Sequence, residues 1–222
     1  MRVLIKDSFK TNLGEIELTV TSESEFQYVI SDNLKAENEN YRIKIIFLDL
    51  NNKIIAKQVE ISQGWRIFIE KKSNHTENLK IFCKLLNNNP EMNWDYASGE
   101  NLDSVVIEND TEILHIGTED GDAMKFRAEN DDWFPVRLKN QISLEKPITN
   151  YIDFGFESRI PDLAINEQFY LHFLISTAKS EKSDKENIST WIEVDRSKKE
   201  LDEIENIRSW DHFSFNLLNT YK

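Results

Sequence analysis

Cys83 is the only thiol in the chain, and it stands in an apolar run beside Phe82 and Leu85. Burial in such a run raises a thiol's pKa and leaves it inert, so a packed structural cysteine is expected rather than a Cys83–His75 nucleophile. A lone cysteine also excludes an intramolecular disulfide and a multi-cysteine zinc site. The histidines, His75, His115, His172 and His212, are scattered singly with no ligand spacing. There is no Gly-x-Ser-x-Gly elbow. Six scattered glycines build neither a Gly-x-Gly-x-x-Gly turn nor a Walker loop, so no cofactor is expected. Glu119-Asp120-Gly121-Asp122 resembles a fragment of a calcium loop. It lacks the alternating oxygen ligands and the closing glutamate, and a solvated turn explains it more simply.

One spacing does suggest catalysis. Asp49 followed by Glu70-Lys71-Lys72 matches the loose Asp…Glu-x-Lys pattern used by many metal-dependent nucleases. There Asp49 and Glu70 would hold Mg²⁺ and Lys72 would orient the attacking water. So short a pattern recurs by chance, and the net charge has the wrong sign for an enzyme acting on DNA.

That charge, −13 from 40 acidic and 27 basic residues, is the most informative bulk property. It disfavours non-specific nucleic-acid binding, which needs Lys and Arg to neutralise phosphates, and docking on anionic membranes. It favours a basic protein partner reached by electrostatic steering. The expected function is therefore a non-enzymatic, acidic binding protein, of the inhibitor or immunity type that shields a cationic macromolecule. Its contact surface should mix carboxylates with an aromatic anchor. Glu108, Asp110, Glu119, Asp120, Asp122, Asp131 and Asp132 are the candidate carboxylates, and Trp191 is the candidate anchor. The alternative is a carbohydrate-binding β-sandwich module using Trp191 or Trp133. No signal peptide is recognisable at Met1–Asp7 and no apolar window reaches membrane-spanning length, so a cytoplasmic location is expected.

The elements that must position these groups are mostly strands. Tyr41–Ile61 reads as a long β-hairpin turning at Leu50-Asn51-Asn52. Its register pairs Tyr41 with Ile61, Ile43 with Val59, Phe47 with Ile55 and Asp49 with Lys53, with Arg42 facing Glu60 on the other side. Ile45 opposite Lys57 is a misfit in that register. Further strands are expected around Arg2–Ile5, Glu15–Val20, Phe26–Ile30 and Trp65–Ile69. The spacing of Leu79, Phe82, Cys83 and Leu86 predicts a helix over 75–87, although Leu79, Ile81, Cys83 and Leu85 also alternate as in a strand. In the second half, strands are expected at Ser104–Ile107, Glu112–Ile116, Ala123–Ala128, Trp133–Leu138, Ile148–Glu157, Gln168–Ala178 and Ile188–Val194. The Ser197-Lys198-Lys199-Glu200 capping box predicts a helix over 198–208. The fold class is mainly β (α+β), with antiparallel, sandwich-like sheets and one or two helices. Residues 1–90 and 104–222 would form two subdomains joined by 91–103, where Trp94 and Tyr96 should pack rather than hang free.

Overall fold

The computed structural model describes residues 1–23, 28–32, 34–54, 58–86, 91–99, 102–130, 134–144, 146–160, 162–180, 190–191 and 193–195. In chain order the strands are β1 (Arg2–Thr11), β2 (Gly14–Ser22), β3 (Val29–Asp32), β4 (Lys35–Glu37), β5 (Tyr41–Asp49), β6 (Val59–Lys71), β7 (Leu79–Leu86), β8 (Asn93–Gly99), β9 (Leu102–Glu108) and β10 (Glu112–Glu119). Helices α1 (Gly121–Asn130) and α2 (Val136–Ser143) follow, then β11 (Thr149–Ile152), β12 (Gly155–Ile160) and β13 (Gln168–Lys179). The strands form two antiparallel sheets, ordered β1-β2-β7-β12-β11 and β3-β4-β5-β6-β13-β10-β9-β8. The mainly β class read from the sequence is the class observed.

Alternation builds the core. Ile16, Leu18 and Val20 of β2 and Leu79, Ile81, Cys83 and Leu85 of β7 point inward from the first sheet. Tyr41, Ile43 and Ile45 of β5, Trp65, Ile67 and Ile69 of β6, and Phe169, Leu171, Phe173 and Ile175 of β13 meet them from the second. Phe156 and Phe173 touch across the interior with ring centroids 6.2 Å apart.

Several expectations change. β5 and β6 do form a hairpin, but Tyr41 faces Lys71, Ile43 faces Ile69 and Phe47 faces Trp65. The register has moved ten residues, an even number, so every side chain keeps its face. Arg42 exchanges Glu60 for Glu70, at 3.1 Å. Ile45 now faces Ile67, which removes the misfit with Lys57 and buries Trp65, Ile67 and Ile69. Residues 79–86 are strand β7, not a helix, because neighbours β2 and β12 on both sides bury the alternating set. Ala123–Ala128 lies in α1 rather than a strand. Asp120 caps it by accepting the Ala123 N–H at 2.7 Å, so the Asp-Gly pair opens a helix instead of a hairpin. Val136–Leu138 begins α2, and residues 190–191 and 193–195 are helical too. Finally, the two halves are interleaved. β7 carries β12 and β6 carries β13, while segment 91–103 supplies β8. The helix expected at 198–208 lies outside the described residues.

The β10–β13 ladder ends at Gly117 opposite Leu174, and α1 begins shortly after β10. Side chains satisfy carbonyls there. Arg127 donates to Tyr170 O at 3.3 Å, lies 3.8 Å over the Tyr170 ring and pairs with Glu119. Thr118 Oγ1 donates to His172 O at 2.8 Å.

Candidate binding site

Strand β8 ends the larger sheet, and β11 ends the smaller one on the same side of the molecule. The sequence Asn93-Trp94-Asp95-Tyr96 alternates, and Trp94 and Tyr96 lie opposite Ile107 and Val105, both of which belong to the interior. Their rings therefore reach across to the β11–β12 hairpin. Tyr96 packs on Tyr151 at 5.2 Å, Trp94 on Phe154 at 5.9 Å, and Tyr151 on Phe156 at 5.1 Å. Phe154 adopts the left-handed conformation (φ 62°) that this tight hairpin demands, and its carbonyl accepts the Leu85 N–H at 3.0 Å. The aromatic row seals the open flank of the two sheets, yet Tyr96 remains 64% exposed and Trp94 36%.

Carboxylates crowd the end of this row. Asp103 stands opposite Ser98 on β9, and Asp120 follows β10. Burial, then hydrogen bonding to the Asp103 carboxylate and the charges of Asp103 and Asp120, push the Tyr151 hydroxyl above its ordinary pKa, so it stays protonated. The Asp120 carboxyl is raised by its own burial and by repulsion from Asp103 and Asp122, against the lowering effect of the Ala123 N–H. The Asp103 and Asp120 carboxylates act on the Tyr151 phenol beside the exposed Tyr96 face, so a positive group placed there would relieve their repulsion.

The residues singled out in the sequence are dispersed. Glu108 and Asp110 lie at one end of the β9–β10 hairpin and Glu119, Asp120 and Asp122 at the other. The six residue steps from Leu102, which faces Glu119, to Glu108 span about 20 Å. Glu119 is buried against Arg127, so it is not a surface carboxylate, whereas Asp110 and Asp122 are exposed. Asp131, Asp132 and Trp133 lie outside the described residues. Trp191 is half-buried. It packs beside Leu50, Leu102, Leu174 and Val194, edge-on to His115 at 6.1 Å, and a Cβ on Gly99 would come within 2.5 Å of its ring. Asp49 faces Gln63 while Glu70 faces Arg42, seven positions and about 24 Å further along β6. Lys72 instead pairs with Glu37 at 2.5 Å. The nuclease-like spacing is therefore not assembled into a metal site.

Cys83 is fully buried, and burial pushes its thiol pKa up. His115 is pushed down to about 4 by burial, with Nδ1 2.7 Å from Thr190 Oγ1. Among the described residues, no three His, Cys, Asp or Glu side chains are placed to hold a metal ion, and no helix is long and apolar enough to cross a membrane. Sequence reasoning missed Asp103 and Tyr151 as site residues. The available signal was the Trp94-x-Tyr96 alternation, which placed two rings on one face of a strand.

No family model matches the chain, nor does any curated protein or solved structure.

Proposed function

We propose that the chain is a non-enzymatic binding protein that takes a basic macromolecular partner on the Trp94–Tyr96 flank. The observation that carries this reading is Tyr96, an exposed ring backed by Tyr151 beside the Asp103 and Asp120 carboxylates. A lysine or arginine laid over Tyr96 would gain a cation–π contact, Asp103 would accept its N–H groups and the buried Asp120 charge would add attraction. The net charge of −13 would steer such a partner and oppose acidic ones. An inhibitor that shields a cationic enzyme or toxin is the biological form that suits these properties.

The test is calorimetric titration of the partner recovered from a native lysate at low salt, against wild type and two variants. Tyr96→Ala should cost about 2 kcal/mol or more, the usual loss for an aromatic hot spot. Asp103→Asn should weaken binding and flatten its salt dependence. Unchanged affinity in both variants removes this flank from the interface.

A second reading has its own support. Trp94 and Tyr96 present two partly exposed rings on one strand, an arrangement that can stack against successive sugars. Glycan-array binding that is insensitive to salt and lost in Trp94→Ala would favour a carbohydrate module over a basic protein partner.

A further inference from the structure

The backbone of β8 says more about the partner than its side chains do. The Asn109 N–H donates to Glu112 O at 3.0 Å, closing the β9–β10 turn. By the antiparallel alternation, Asp103, Val105 and Ile107 also turn their backbone groups toward β10. Their β8 partners, Ser98, Tyr96 and Trp94, therefore turn N–H and C=O away from β9, to the outer edge. Among the described residues β8 pairs with β9 alone. Natural edges are blunted by lysine, proline or bulges. Asn93–Gly99 contains neither lysine nor proline, and its ladder with β9 runs without a register shift. Among the described residues the protection is Asp95, whose Oδ1 accepts the Tyr96 N–H at 2.8 Å.

We infer that the partner contributes an extended, basic segment that adds to β8 as a further strand, and that Asp95 is the gate to this edge. The inference rests on the proposed recognition of a basic partner. An incoming strand needs the Tyr96 N–H, and Asp95 releases it only when an arginine or lysine on that strand takes the carboxylate instead. A neutral strand offers no such exchange, so the edge rejects it. Main-chain bonds to Trp94, Tyr96 and Ser98 then supply affinity. Alternate side chains of the guest would point to the inner flank, over Tyr96 and toward Asp103.

The experiment uses the full chain and three blocked octapeptides: alternating Arg-Thr, the same peptide N-methylated at every second residue, and an all-Thr control. Amide exchange and affinity are read by NMR. The Arg-Thr peptide should slow exchange of the Tyr96 amide by about tenfold or more. N-methylation on the pairing edge should abolish that protection and weaken binding at least about tenfold, because the charges remain while the ladder cannot form. Asp95→Ala should admit the all-Thr peptide, which wild type rejects, while leaving Tyr96, Asp103 and Asp120 in place. If both charged peptides bind equally at Tyr96, strand addition is wrong and basic-partner recognition survives. If neither charged peptide binds, both readings fall together.

Discussion

Glu77 is buried, and burial alone would raise its pKa. It accepts hydrogen bonds from Tyr28 Oη at 2.6 Å, Asn40 Nδ2 at 2.8 Å, Asn38 Nδ2 at 2.9 Å and Ser22 Oγ at 3.2 Å. Together these outweigh desolvation and hold the carboxyl below its usual range. A carboxylate with a depressed folded pKa stabilises the protein above its unfolded value, and the contribution is lost as pH falls through the folded one. His115 acts in the same direction. Burial holds it near 4, against 6.5 for the free side chain, so unfolding takes up a proton between those values. Stability should therefore fall on acidification from about pH 6.5 downward, His115 contributing first and Glu77 at lower pH. Melting curves of Glu77→Gln should show a loss of about 1–3 kcal/mol at neutral pH and a shallower acid limb. An unchanged acid limb would remove Glu77 from this account. Cys83 provides a separate check. Buried, with a raised thiol pKa, it should resist alkylation in the native state and react only on unfolding. Native-state labelling at the rate of a free thiol would contradict its placement.

At the scale of elements, close approach of strands decides what a position tolerates. A Cβ at Gly155 would lie 2.1 Å from the Cys83 carbonyl oxygen and 2.6 Å from Lys84 Cα, so β12 could not keep its place beside β7. Gly121 opens α1 with nothing within 4 Å of the same added atom. Gly155→Ala should thus destabilise by more than about 3 kcal/mol, whereas Gly121→Ala should be neutral or stabilising by up to about 1 kcal/mol. Equal effects, measured by denaturant unfolding, would count against the β7–β12 register. The same scale shows where sequence reading works and where it stops. Alternation found β2 and β5, and a continuous apolar run found β13, because one or both faces are apolar. In β7 it competed with a helical spacing, and only the flanking strands β2 and β12 decide between them. The hairpin face was legible but its register was not. A ten-residue slip conserves the inward set, and it even finds a second glutamate for Arg42.

Across the whole molecule, each sheet draws strands from both halves of the chain, so neither half holds a complete core. Chemical denaturation followed by tryptophan fluorescence and by far-ultraviolet dichroism should give one coincident transition. A fragment of residues 1–90 should fail to fold, since β6 would lose β13 and β7 would lose β12. Two resolved transitions would restore the two-subdomain organisation. By itself, the sequence determined what depends on local pattern and on sums: the β-rich class, several strand faces, the acidic charge and the burial of Cys83. Composition and alternation are properties of neighbours along the chain, and they survive any arrangement of the strands. Tertiary structure decided the pairing register, the helical state of 121–130, the packing of Trp191 and the separation of Asp49 from Glu70. It also brought Tyr96, Tyr151, Asp103 and Asp120 to one flank from four separate segments. That gathering depends on which strand ends each sheet, and strand order follows from burying two apolar faces against each other over the whole chain, not from any local signal.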